Sequence, residues 1–109
     1  MVKVKICGLT NQADYNLACQ LGADYAGFVF YRKSLRFIEP ELARKLVRQA
    51  KYQAIKVGVF VNEQASIIRE IYDYVGLDIV QLQGDEEPDF CRQLGLPYWK
   101  AIRAKDTSD

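Results

Sequence analysis

The 109-residue sequence contains no histidine. That excludes a Ser-His-Asp triad, a Cys-His dyad and an HExxH zinc site within the chain. Any general base must come from Cys, Asp, Glu, Lys or Tyr. Cysteine is sparse too: Cys7, Cys19 and Cys91 are odd in number, widely spaced and form no C-x-x-C pair. The simplest reading is a reduced, cytoplasmic chain. No apolar run approaches the roughly 18 residues of a membrane span, and no signal peptide is expected ahead of the first strand. Charge of one sign is missing as well, since 15 basic and 14 acidic residues leave a net +1. There is no broad electrostatic case for nucleic acid or a membrane surface. What remains is ordinary globular composition, half hydrophobic and 27% charged, in one undivided domain with a real core.

The chain starts with alternation. Val2, Val4 and Ile6 share one face of a strand, and Lys3, Lys5 and Cys7 the other. Gly8 permits a turn, and Thr10 is a good N-cap for a helix over 11–21 with Ala13, Leu17, Ala18 and Leu21 as its stripe. A buried strand over 24–30 follows, then a long polar loop over 31–38. Pro40 opens a helix with Leu42, Leu46 and Val47 inward. A third strand covers 55–61. Asn62 caps a helix whose apolar face is Ile67, Ile68, Ile71, Tyr72 and Val75. A fourth strand covers 78–83. Pro88 fits the first turn of a helix carrying Phe90, Cys91 and Leu94, and a fifth strand covers 98–102. Residues 104–109 are a polar tail after a barrel part over 1–103.

Gly22, Gly76 and Gly95 each end a helix and launch a strand, so the repeated unit is β-loop-α-Gly-β. Strands alternating with helices imply right-handed crossovers and a parallel α/β sheet. Five strands and four helices suit a small open sheet, or about four and a half units of a (β/α)8 TIM barrel. Lys5, Lys56 and Lys100 stand at mid-strand in the odd strands. Barrel interiors are layered from alternate strands, so the three are expected in one layer, with carboxylates or an anion nearby. That favours the partial barrel.

Cys7 ends the first strand just before a helix. It is either a small buried hydrophobe, as Cys19 and Cys91 are on their helix stripes, or a thiolate acting as nucleophile or base. Arg36 is either a solvated loop charge or, fixed between Leu35 and Phe37-Ile38, a bidentate carboxylate partner. Gln81 and Gln83 share a face with Ile79; they either point inward or merely finish their strand, and Arg103 has the same ambiguity.

Six segments resemble one family in order and spacing: Lys5-Ile6-Cys7-Gly8-Leu9-Thr10, Gly22-Ala23-Asp24, Gly27-Phe28-Val29-Phe30 with Ser34-Leu35-Arg36, Val57-Gly58-Val59-Phe60-Val61-Asn62, Leu77 to Glu86, and Lys100-Ala101-Ile102-Arg103. The family is phosphoribosylanthranilate isomerase of tryptophan biosynthesis. The resemblance implies a (β/α)8 barrel and an Amadori rearrangement of N-(5′-phosphoribosyl)anthranilate without metal or organic cofactor. It implies a phosphorylated small-molecule substrate, Cys7 as the base that takes the C2′ proton, and Arg36 as the holder of the anthranilate carboxylate. Gln81, Gln83 and Arg103 are expected to bind substrate. Gln83 stands where the family typically has histidine, and glutamine cannot titrate. The family's general acid ends strand six and its phosphate loops follow strands seven and eight. The chain is therefore expected to be an N-terminal part, nearly inactive alone. The alternative is a self-associating half-barrel, homo-oligomeric through its exposed edges, or an anion-binding protein without catalysis.

Overall fold

Residues 3–51 and 53–101 are described by a computed structural model. Within them strands and helices alternate: β1 (Lys5–Ile6), α1 (Gln12–Gln20), β2 (Tyr25–Val29), α2 (Pro40–Gln49), β3 (Ile55–Phe60), α3 (Ala65–Val75), β4 (Ile79–Leu82), α4 (Pro88–Leu94) and β5 (Tyr98–Lys100). All neighbours are parallel and the spatial order is β1-β2-β3-β4-β5. These are the elements the sequence predicts, with β1 and β5 shorter. Val2, Ile102, Arg103 and the tail over 104–109 lie outside the described residues.

The sheet is strongly curved. In a flat sheet β1 and β4 would stand three spacings, about 14 Å, apart. Here Lys5 Nζ donates to Gln81 Oε1. Trp99 of β5 likewise meets Tyr25 of β2 edge-on, with ring centroids 5.0 Å apart. The strands are also staggered. The row of Lys5 runs through Tyr25 and Ile55 and, since Val57 pairs with Ile79, on to Leu77; Gln81 lies four residues further along. Curvature with stagger is what closing a barrel demands. The described residues form an arc of a (β/α)8 barrel.

The core fills the space between the convex face of the arc and the helices. Phe28, Phe60, Val80 and Leu82 from strands cluster with Tyr15, Leu46, Ile68 and Leu94 from helices, and Cys19 and Cys91 are buried there as expected.

The register corrects the lysine layer. Lys5 aligns with Tyr25 and Ile55, so Lys56, one residue on, points to the other face. Lys100 pairs with Leu82 and Leu82 with Phe60, four residues after Lys56, so Lys100 shares the face of Lys56 at the far end. Each charge is met separately: Lys5 by Gln81, Lys56 by Asp78 at 3.2 Å and Lys100 by Glu86 at 2.8 Å. Carboxylates do attend two of the three. The barrel itself follows from curvature, not from a shared lysine layer.

Helix ends and faces also differ in detail. Asn11, not Thr10, caps α1: its Oδ1 accepts the Asp14 amide at 2.8 Å and its Nδ2 donates to Asp14 Oδ2 at 2.9 Å. The buried stripe of α1 is Tyr15, Ala18 and Cys19, with Tyr15 stacked on Phe28 at 5.4 Å. Ala13, Leu17 and Leu21 face outward. In α2 Ala43 and Leu46 are buried and Leu42 is exposed. Gln64, not Asn62, precedes α3, and Asn62 instead lies in the turn after β3, in the left-handed region at φ 51°.

Candidate active site

Cys7 follows β1 and is half-buried. The chain then turns through Gly8 at φ +81°, a conformation that suits glycine. The amides of Gly8 and Leu9 both donate to Gly27 O, at 3.0 and 3.2 Å. The missing side chain has a second use, because the stem of Arg36 occupies the space a Gly8 Cβ would need. Gly27 does the same for Cys7: a Cβ there would stand 3.0 Å from Sγ. The thiol is seated on the glycine of the neighbouring strand.

Arg36 comes from the segment between β2 and α2, which folds back on β2. Ile38 donates to Val29 O at 3.0 Å, Phe37 bridges to Val29, and the Arg36 amide donates to Ser34 Oγ at 3.0 Å. Leu35, expected to help hold Arg36, is fully exposed; Ser34 and Ile38 provide the hold. Cys7 and Arg36 line one open cleft of about 440 Å³, bordered by Asp14, Leu17 and Leu21.

Gln81 faces the concave interior, level with Val59 and Trp99 and bonded to Lys5. Lys5 Nζ also stands 5.8 Å from the Trp99 ring centroid. Because Lys5 meets Gln81 and the strands are parallel, Cys7 and Gln83 occupy the next level, two residues on and on the same face. Gln83 is still in the ladder, its amide donating to Phe60 O at 3.0 Å, and its side chain is exposed at the rim. The fold therefore sets Cys7, Arg36 and Gln83 at one mouth with Gln81 one level below them in the interior, and neither glutamine lines the Cys7–Arg36 cleft.

Sequence reasoning missed a second cluster on this rim. Glu86 accepts from the Asn62 and Gly84 amides and from Lys100. Burial alone would raise its carboxyl pKa. Hydrogen bonds from Lys100 and from backbone amides, Asn62 among them, outweigh burial and hold it below the ordinary carboxylate value. The run Asp85-Glu86-Glu87 looks like a solvated acidic patch, so nothing in it singled out the middle residue.

Among the described residues, no group of three or more His, Cys, Asp and Glu side chains is placed to hold a metal, and no helix is long and apolar enough to cross a membrane. A guanidinium can pair with a planar carboxylate through two parallel hydrogen bonds, and here it lines the same cleft as a thiol.

A thiol and an arginine at the C-terminal mouth of a curved, all-parallel β/α arc place the chain among the (β/α)8-barrel proteins, whose sites lie at that end. Residues 4–109 match the family model described as N-(5′phosphoribosyl)anthranilate (PRA) isomerase, and the chain belongs to that family. It is 47% identical over 110 residues to the N-(5′-phosphoribosyl)anthranilate isomerase of Syntrophus aciditrophicus (strain SB), covering 100% of this chain and 48% of that protein. The crystal structure of phosphoribosyl anthranilate isomerase from Thermotoga maritima matches with a TM-score of 0.90 at 44% identity, over 94% of this chain and 51% of that one. A phosphoribosyl anthranilate isomerase in complex with reduced 1-(o-carboxyphenylamino)-1-deoxyribulose 5-phosphate matches with a TM-score of 0.92 at 42% identity, over 99% and 57%. The chain spans about half the length of these relatives.

Proposed function

We propose that this chain supplies the base and the carboxylate clamp of a phosphoribosylanthranilate isomerase, and that it works in the cytoplasm with a complementary segment that closes the barrel. The reaction is the Amadori rearrangement of N-(5′-phosphoribosyl)anthranilate to 1-(2-carboxyphenylamino)-1-deoxyribulose 5-phosphate, a step of tryptophan biosynthesis. The observation that carries the reading is the seating of Cys7 against Gly27 and of Arg36 over Gly8, which sets both side chains at the strand mouth. Arg36 pairs with the anthranilate carboxylate. The Cys7 thiolate takes the C2′ proton of the ring-opened Schiff base. The C2′–H electron pair becomes the C1′=C2′ π bond, the C1′=N π pair moves onto the iminium nitrogen, and the enol-amine then takes a proton at C1′ as the C2′ hydroxyl loses its own to become the ketone. Gln81, Gln83 and Arg103 contact substrate; Gln83 hydrogen-bonds and carries no proton of its own.

Ring opening needs a general acid, worth about 10²–10⁴-fold, and the phosphate needs an anchor. Both are assigned to the complementary segment. Eight strands leave a barrel interior just wide enough for side chains to fill. Lys5 reaching Gln81, and Trp99 touching Tyr25, are consistent with that curvature, and an eight-stranded closure calls for three more strands between β5 and β1. Leu17 at 52% and Leu21 at 74% exposure border one side of the gap, and Tyr98 and Trp99 border the other. The same open edges favour a second reading, self-association of the chain.

Mixing the full chain with a separately produced C-terminal half of the T. maritima isomerase tests the first reading. Turnover is expected from the mixture and close to none from the chain alone. A well-folded partner that restores nothing overturns it, and light scattering of the chain alone decides whether copies cover the edges. In an active mixture, Cys7→Ser should remove turnover by about 10²-fold or more with substrate binding kept; unchanged turnover would show a packing role only.

A further inference from the structure

Three strand ends meet at Glu86, on the rim beside Gln83. One carboxylate oxygen accepts the Asn62 amide at 2.8 Å, from the turn after β3. The other accepts the Gly84 amide at 2.9 Å and Lys100 Nζ, from β5, at 2.8 Å. Lys100 also donates to Gly84 O at 2.6 Å, so both polar backbone groups of Gly84 are engaged by this pair. The Asp85 amide donates to Asn62 Oδ1 at 2.7 Å. Gly84 lies so close to Asn62 that a Cβ would stand 2.5 Å from that same oxygen. The Glu86 side chain is only 2% exposed. Burying a carboxylate is costly, and here a cation and two amides offset the cost. A merely solvated acidic turn would need none of this.

We infer that Glu86 is a positioning residue for Gln83. It locks the turn that begins one residue after Gln83 and ties that turn to β3 and β5, so the backbone that presents Gln83 at the mouth, level with Cys7, is fixed. The inference rests on the isomerase reading of that mouth. Glu86 does not line the Cys7–Arg36 cleft and acts only through the turn. The chemistry calls for a carboxylate: two oxygens serve three donors, whereas a glutamine would turn its own NH2 toward one of them.

The test has two arms. In the isolated chain, the backbone amide signal of Gln83 is followed by 15N NMR. Glu86→Gln should shift and broaden it together with the Asn62 and Gly84 amides, while Gly27 stays put. An unmoved Gln83 signal overturns the inference. In the mixture with the T. maritima C-terminal half, Glu86→Gln should lower kcat/KM about 10–100-fold, as small misplacements do. In a Gln83→Ala background the same change should cost less than about threefold, because the two act in series. Fully additive losses overturn the positioning role. A native mixture without turnover counts against the isomerase reading, and the NMR arm still decides Glu86. If Glu86→Gln fails to fold, Lys100→Met, which keeps both amide bonds, takes its place: a smaller shift of the Gln83 signal supports the inference and no shift overturns it.

Discussion

Burial and hydrogen bonding pull the Glu86 carboxyl in opposite directions, and the hydrogen bonds prevail, leaving its pKa below the ordinary value of 4.5. A lower pKa in the folded chain means that the unfolded chain binds the proton more readily. Its contribution to stability is complete above the unfolded value and disappears as pH falls through the folded one. Thermal melts of the native chain should therefore lose more between about pH 5 and pH 3 than melts of Glu86→Gln. Parallel curves would remove Glu86 from the stability of the rim. The same residue marks the limit of what single positions reveal. Cys7 and Arg36 stand in recognisable local settings, a strand end and a loop. Beyond the Gly84 amide, the partners of Glu86 lie 24 residues back and 14 ahead, and no local pattern links them. That Arg36 lies over Gly8 was equally invisible, since the two meet only when β1 and β2 pair.

At the scale of elements, α1 is the instructive case. It carries two apolar stripes, Tyr15-Ala18-Cys19 and Ala13-Leu17-Leu21, and the spacing read from the sequence picks out Ala13, Leu17, Ala18 and Leu21, mostly the second. The sheet takes the one with the large aromatic ring, and the other faces the gap beside β1. A helix apolar on two sides is ordinarily covered on two sides. Replacing Leu17 and Leu21 together by serine should change the stability of the isolated chain by less than about 0.5 kcal/mol, as exposed positions do. It should weaken capture of the T. maritima C-terminal half by at least tenfold in titration calorimetry, since each leucine buried is worth about 1.5 kcal/mol or more. Equal affinity would show that the closing segment does not touch this face. The order and type of every element were legible, because glycine-terminated helices and buried strands repeat. Helix phase was not, because only the sheet decides which of two apolar stripes it accepts.

For the molecule as a whole, the parallel sheet was legible from the β-loop-α-Gly repeat, but the layering of its interior was not. A one-residue offset in pairing sends neighbouring positions to opposite faces, and the offset between Lys5 and Lys56 comes from the β1–β2 and β2–β3 registers, which no composition rule supplies. The curvature of the sheet has a practical consequence. Trp99 is the only tryptophan of the chain, and it stands 37% exposed at the open β5 edge, edge-on to Tyr25 and close to the Lys5 ammonium. The molecule thus carries its own optical gauge of closure. Its indole emission should shift to the blue, and become harder for iodide or acrylamide to quench, when anything completes the barrel beside β5. The shift should follow the same concentration dependence as assembly, so the moment of closure can be timed in a stopped-flow cell without any added label.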